Sequence, residues 1–349
     1  MEYWVDAGRP STPILHHSNE CVMFAMDMTD AESPLVRELG SLPGLRLKLA
    51  EPLARYTSMK IGGPADYFID VENGAALAAL LPLLRRHHLP VCLLGNGSNV
   101  LVSDRGVRGA VLHLSGEFKK VVWHEAGEFV RVTVGAAYAV TQLVREAARK
   151  GYAGLEFAEG IPGSVGGALV MNAGAYGSEF ERVVEQVEGV NMAGEPIIFC
   201  RDEMTFTYRD SHLPAGTVVT RVAMRLQKAE AVAVSSKLRE LVGKRKSSQP
   251  SGFPNSGSMF RNPPGDFAGR LIEAAGLKGK RVNQAQIAQR HGNFIVNLGG
   301  AKADDVRQLM ELARREVQRQ FGVQLIAEVK LLGEWEESEL TTKNTRVTK

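Results

Sequence analysis

Between Glu159 and Gly177 the chain reads EGIPGSVGGALVMNAGAYG, six glycines in nineteen residues. Glycine loses more freedom on folding than any other residue and brings no side chain to a core. A run of this kind belongs where the backbone passes very close to something. Two more glycine-rich turns precede it, KIGGPAD (Lys60 to Asp66) and LGNGSNVLV (Leu94 to Val102). Such turns let backbone N–H groups approach an anion or a flat ring with no Cβ in the way. Any one of them reads equally well as a tight turn between strands. Three in order point to a shared ligand larger than a phosphate. No glycine is followed by Lys and Ser or Thr at P-loop spacing, and Val100 stands where a dinucleotide fingerprint beginning at Gly95 would need its third glycine.

The rest of the chain bounds the answer. With 349 residues, 44% hydrophobic and 23% charged, it has the make-up of a soluble enzyme with room for two or three domains. A net charge of +3 from 42 basic and 39 acidic residues gives no field that calls for nucleic acid or a membrane surface. Cys21, Cys92 and Cys200 are odd in number and lack metal-ligand spacing, which fits a reducing cytoplasm and no metal site. No basic segment followed by an apolar core and a cleavage site is legible at the N-terminus, and no run reaches membrane-spanning length, so the protein is expected to stay where it is made.

Strand-length apolar segments recur through the first two thirds: ADYFIDV, VCLLG, NVLVS, GAVLHL, KKVVWHE, FVRVTVGA, VVEQVEGVNM and TVVTRVAMRL. Two helices interrupt them. NGAALAALLPLLRRHH carries a Leu77, Leu80, Leu81, Leu84 stripe, which Pro82 is expected to kink or shorten. AVTQLVREAARKG puts Val140, Leu143, Val144 and Ala147 on one face and stops at Gly151. From Ala231 helices dominate, the last with Val306, Leu309, Met310, Ala313 and Val317 in register and Gly322 as its stop. The strands GNFIVNLG and LIAEVKLLG complete that region. The fold class expected is α+β, two strand-rich halves followed by a helix-rich lobe, between loose polar tails.

In order, RYTSMKIGGPADYF, LGNGSNVLVSD, the opening stretch, TFTYRDS, PNSGSMFRNP and IAEVKLLG resemble the UDP-N-acetylenolpyruvoylglucosamine reductases of bacterial cell-wall synthesis. The likeness runs from Leu42 to Gly333. It implies an FAD-binding module of the vanillyl-alcohol-oxidase type in two parts, residues 42–114 and 115–230, and a substrate-binding α+β domain, residues 231–333, between an extension at 1–41 and a tail at 334–349. FAD would lie along Ile61, Gly62 and Gly63; along Gly95, Asn96, Gly97, Ser98 and Asn99 with its pyrophosphate; and along Gly160, Ile161, Pro162, Gly163, Ser164, Gly166, Gly167, Asn172, Ala173 and Gly174 nearer its ring. NADPH would be the co-substrate. The resemblance implies a cytoplasmic monomer whose partner is a small molecule, UDP-N-acetylglucosamine enolpyruvate.

Three residues would carry the chemistry of reducing the enolpyruvyl ether. Arg209 would stabilise charge on the substrate carboxylate, because a guanidinium stays protonated and forks to a carboxylate. By itself it reads as a surface ion pair with Asp210. Ser258 would give the proton; by itself it is a turn residue. Glu328 sits among apolar neighbours on a strand pattern that places Leu325, Ala327, Val329 and Leu331 on one face and Ile326, Glu328, Lys330 and Leu332 on the other. It is either at an exposed edge or held for a purpose, and if buried its pKa rises and it donates as a neutral acid. Tyr176, Tyr208, Asn262 and Arg245 are the substrate contacts implied, Arg245 facing the UDP phosphates. His291 is left unassigned. The 49 positions from Arg209 to Ser258 match the short form of the family, without the tyrosine-bearing insertion, and Asn283 and Gln284 replace a glycine pair. The competing readings are a flavin oxidase of the same fold and a flavin- or nucleotide-binding protein without turnover.

Overall fold

The computed structural model describes residues 4–5 and 33–336. A first sheet takes the order β1-β4-β6-β3-β2, from β1 (Trp4–Val5), β2 (Leu45–Pro52), β3 (Pro64–Val71), β4 (Val91–Leu93) and β6 (Val107–Leu114). Its centre is parallel, β4 and β3 flanking β6, and its edges are antiparallel. The central β3 is buried along nearly its whole length, as a strand covered on both faces requires. The short β5 (Val100–Val102) stands outside this sheet.

Residues 34–41, assigned to the extension by sequence, form α1 (Pro34–Ser41). Ser33 caps it by accepting from the Val36 N–H, Pro34 sits at its first turn, and Leu35 and Leu39 enter the core. The rest of that extension, except for β1, lies outside the described residues, as does the tail beyond Glu336. The helix α2 (Gly74–Arg86) continues one turn past Pro82 instead of stopping there. An interior proline costs about 3 kcal/mol. Leu77, Leu80, Leu81, Leu83 and Leu84 are all buried, each burial contributing roughly 1.5–3 kcal/mol, so packing outweighs the local preference.

The second sheet is antiparallel, β13-β12-β14-β8-β7, from β7 (Val121–Ala126), β8 (Phe129–Gly135), β12 (Val184–Val190), β13 (Pro196–Cys200) and β14 (Val218–Lys228), with β9 (Tyr152–Ala153) on the end of β14. Within its span lie α3 (Val140–Lys150), α4 (Val165–Val170) and the hairpin β10 (Gly174–Ala175) to β11 (Ser178–Glu179). Gly151 ends α3 at φ 74°, the left-handed stop its position predicted. One core joins α1, α2, α3 and both sheets.

The third lobe has α5 (Ala231–Ser248), α6 (Ala268–Ala274), a small sheet β15-β16-β17 (Arg281–Val282, Ala285–Ile287, Ile295–Asn297), α7 (Ala303–Phe321) and β18 (Lys330–Leu332). The five predicted apolar positions of α7 are buried in a second core, and Gly322 caps it at φ 68°. Several contacts tie this lobe to the first part of the chain, among them a strand pair and a helix cap. β18 pairs in parallel with β5, and Asp104 accepts from the N–H groups of Ala303 and Asp304 at the start of α7 (2.9 and 3.1 Å). The strand expected over LIAEVKLLG is ladder-paired only at Lys330–Leu332. The N–H groups of Glu328 and Val329 both point at the Met259 carbonyl (2.8 and 3.4 Å), which interrupts the ladder there. The alternation itself holds: Leu325, Ala327, Val329 and Leu331 face the second core, and Leu332, on the other face, joins a third one under β5.

Candidate active site

The loop between β4 and β5 is where the three lobes meet. Gly97 stands at φ 58°, and a Cβ on it would strike the Tyr56 carbonyl, so the chain itself demands glycine there. The Gly97 carbonyl accepts from the Ser58 N–H (2.9 Å), which fixes the loop. Its outer side is bare. Among the described residues, the N–H groups of Asn96, Gly97, Ser98 and Asn99 donate to no protein acceptor. Ser98 donates its hydroxyl to the Pro162 carbonyl (3.2 Å) and fills the space that a Cβ on Gly163 would need (2.8 Å). The second and third glycine turns therefore lie against each other.

A cleft opens beside them, lined by Leu93, Gly95, Asn96 and His113 from the first sheet and by Ser164, Gly166 and Gly167 from the start of α4. At the other end of the loop, Asn99 donates its side-chain amide to the Glu328 carbonyl (3.3 Å), and its carbonyl accepts from the Lys330 N–H (3.0 Å). The cleft and Glu328 thus flank one row of free N–H donors. That is what a long ligand with an anionic middle requires, and FAD, with a pyrophosphate between two ring systems, fits it.

Around Glu328 the chemistry converges. Arg209 adopts φ 64°, a strained backbone for a non-glycine residue. Its Nε donates to Glu328 Oε1 (3.1 Å), a terminal nitrogen donates to the Gly174 carbonyl (3.3 Å), and the guanidinium lies 4.7 Å from the Tyr208 ring centre. Only 15% of the Glu328 side chain is exposed, and burial pushes its pKa up against the opposing pull of Arg209. Burial and the nearby charge of Arg261 push the Lys330 ammonium down. Ser258 lies on the segment whose next residue, Met259, bonds Glu328, and it bridges to Phe294. Arg209 and Glu328, 119 positions apart, meet through their side chains, and the backbone next to Ser258 adjoins Glu328.

Arg245 and Tyr176 form a second group. Arg245 is laid over Gly160, where a Cβ would come within 2.6 Å of its Cδ, and burial pushes its pKa down against the opposing pull of its neighbours Tyr176 and Glu159. Tyr176 donates its hydroxyl to the Leu241 carbonyl (3.2 Å). Several positions expected at the cofactor face inward instead. Ile61 is buried in the second core, and Gly62 and Gly63 pack against Val102 and the Asp104 carbonyl. Asn172 is fully buried and clamps the β10–β11 hairpin, donating to Glu179 (2.7 Å) and the Thr207 carbonyl (3.2 Å) and accepting from the Glu181 N–H (3.0 Å). Ala173 sits beyond it, its N–H bonded to the Ala168 carbonyl (2.8 Å), while Ile161 is half-buried on the main core. Asn262 is exposed and accepts from the Ala268 N–H at the start of α6 (3.1 Å). His291 lies against Gly269 and accepts from the Asn293 N–H (3.1 Å), and burial lowers its pKa. Asn283 takes the β15–β16 turn at φ 45°, a conformation asparagine tolerates where a glycine pair would be freer.

Sequence reading passed over Arg261 and Lys330. Both stand in the quoted motifs, one beside Asn262 and one two places after Glu328, but nothing in a spacing says that a cation lacks a partner. Cys200, Asp202 and Glu203 bring potential metal-ligand atoms within 4.8 Å of one another, and all three are exposed. Glu203 already accepts from the Cys200 N–H (2.7 Å), a local turn that accounts for the cluster. Among the described residues no helix is long and apolar enough to cross a membrane.

Residues 65–199 match the FAD binding domain family, and residues 249–332 match the UDP-N-acetylenolpyruvoylglucosamine reductase C-terminal domain. UDP-N-acetylenolpyruvoylglucosamine reductase 2 of Symbiobacterium thermophilum is 47% identical over 305 residues, covering 86% of this chain and 97% of its own. The reductase of Myxococcus xanthus is 43% identical, covering 87% of this chain and 98% of its own. The crystal structure of the Thermus caldophilus reductase aligns at a TM-score of 0.71 with 40% identity, covering 82% of this chain and 99% of its own.

Proposed function

The chain belongs to the UDP-N-acetylenolpyruvoylglucosamine reductases, FAD-dependent oxidoreductases, and on that premise we propose that it uses NADPH to reduce the enolpyruvyl ether of UDP-N-acetylglucosamine to a lactyl ether on the way to peptidoglycan. The observation that carries this reading is the convergence of Arg209, Glu328 and the Ser258 segment at one end of a loop with four free N–H donors. FAD, when bound, supplies the hydride to the substrate double bond. The chain's own groups do the rest. The N–H groups of Asn96 to Asn99 hold the pyrophosphate, with Ser164, Gly166 and Gly167 closing the cleft on one arm of the cofactor.

When hydride adds to the terminal carbon, negative charge moves through the adjacent carbon into the carboxylate. Arg209 meets that charge with a fixed guanidinium, already oriented by Gly174 and Tyr208, so little reorganisation is needed. Glu328, held toward its neutral form by burial, donates a proton in a hydrogen bond to the same oxygens. Ser258 delivers a proton to the carbon next to the carboxylate. A serine hydroxyl is a weak acid, and the step proceeds because the enolate is a strong base. Arg245, over Gly160, and Tyr176 beside it face the sugar nucleotide. Residues 42–114 and 115–230 serve as the cofactor module and residues 231–333 as the substrate domain, in a cytoplasmic monomer.

The test is the visible spectrum of the FAD-loaded protein under anaerobic conditions. Bleaching by NADPH and recovery on adding the enolpyruvyl sugar nucleotide is the expected result. Recovery only with oxygen would replace the reading with that of an oxidase.

A further inference from the structure

The pairing of Arg209 with Glu328 leaves a neighbouring cation unmatched. Arg261 donates its backbone N–H to the Ile326 carbonyl (2.9 Å), and Phe260 stands opposite Ala327. In an antiparallel pair this register places Arg261 on the face of Ile326 and Glu328. Its charge acts on Glu328 and on Lys330. Yet among the described residues its side chain makes no hydrogen bond and no ion pair, and its Nε is fully buried with no acceptor. Folded proteins seldom leave such a donor unmet, and a charged one least of all.

A charge count narrows what would meet it. Arg209, Arg261 and Lys330 interact with two carboxylates, Glu328 and Asp210, which leaves one positive charge in excess. Glu328 in its neutral form would raise that excess. A group bearing one negative charge, planar and able to accept from a guanidinium, suits the position.

Resting on the reductase reading, we propose that Arg261 is a second guanidinium for the substrate carboxylate, acting alongside Arg209. Its terminal nitrogens give the carboxylate oxygens donors beyond those of Arg209, which is already committed to Glu328 and Gly174. Because the carboxylate gains negative charge as the double bond is reduced, Arg261 assists the reaction more than it assists binding.

The experiment compares wild type, Arg261→Met and Arg261→Lys, each loaded with FAD. Calorimetry measures binding of the enolpyruvyl sugar nucleotide and of its carboxylate methyl ester to the oxidised protein, and anaerobic mixing measures reoxidation of the NADPH-reduced protein by the acid. Wild type should prefer the acid by tenfold or more. Arg261→Met should lose most of that preference, and its reoxidation rate should fall by a larger factor than its affinity. Arg261→Lys should regain part of both, with flavin content and the rate of reduction by NADPH unchanged throughout. If Arg261→Met weakens acid and ester by the same factor, the guanidinium serves the diphosphate and the proposal is overturned. Wild-type behaviour of Arg261→Met overturns it too. Should that variant lose its flavin, Arg261→Gln takes its place in the same comparison. A wild-type protein that neither binds nor reduces the enolpyruvyl compound sinks the reductase reading itself, an outcome separate from the others.

Discussion

Glu328 shows how much of a site one carboxyl sets. Burial raises its pKa and Arg209 opposes the rise, so its acid form persists to higher pH than that of an exposed glutamate. If the acid form is the donor, reoxidation of the reduced flavin by substrate is full below the raised pKa. It then falls about tenfold per pH unit above it. Glu328→Gln, a permanent neutral donor, should be slower but should lose that alkaline limb. A limb that persists in this variant would assign it to another group. Ser258→Ala is the sharper probe of the proton step: the same reoxidation should slow by roughly 10²–10⁴-fold while reduction by NADPH is unchanged, and an unaltered rate would remove Ser258 from its role. The sequence showed Glu328 as odd, a carboxylate inside an apolar strand pattern, but could not show that it was buried. Arg209 alone read as a surface ion pair with Asp210, because its partner Glu328 is 119 residues away and only the fold supplies it.

Among elements, periodicity was read well wherever one face meets one core. The stripe of α7 and the glycine stops of α3 and α7 lie where the pattern put them. It held even where a segment serves two cores: in LIAEVKLLG, Leu325, Ala327, Val329 and Leu331 face the second core and Leu332, on the other face, joins the third, although ladder pairing is confined to Lys330–Leu332. The glycines have a further reason that sequence does not show: Gly63 and Gly97 lie against other backbone and Gly62 against the Val102 side chain, and the N–H edge of the loop from Asn96 to Asn99 stays open to a ligand. Gly97→Val therefore has a consequence that does not depend on any cofactor. A branched residue at φ 58° costs at least about 1–2 kcal/mol, and its Cβ must displace Tyr56 and Thr57. The apoprotein should melt several degrees lower than wild type, and FAD retention should fall with it. If only FAD retention changed and the apoprotein melted normally, the loop would be more pliant than its contacts imply.

At the scale of the whole molecule, the loop from Gly95 to Asn99 is the shared border of all three lobes. Gly95 and Asn96 line the cleft between the two sheets, Ser98 reaches Pro162 of the second sheet's connections, and Asn99 reaches Glu328 and Lys330 of the third lobe. A ligand bound along it adds to contacts that the lobes already share: the β5 to β18 ladder, the Asp104 cap on α7 and the hydrogen bonds of Ser58 to Asn255 and of Asn297 to Met59. Binding only to the folded state stabilises it by about 2.7 kcal/mol at a ligand concentration 100 times Kd. FAD should therefore raise the melting temperature by several degrees and protect the third lobe from proteolysis. The geometry also predicts a difference between flavins. If the pyrophosphate sat on the free N–H groups with the reacting ring toward Glu328, the adenosine half of FAD would lie toward His113 at the other end of the loop, which departs from the expectation that Ser164 is nearer the ring. FMN, which lacks that half, should stabilise the protein far less at equal concentration. Equal protection by FMN would mean that the cleft is not used, and the orientation assigned to the cofactor along the loop would have to be reversed or abandoned.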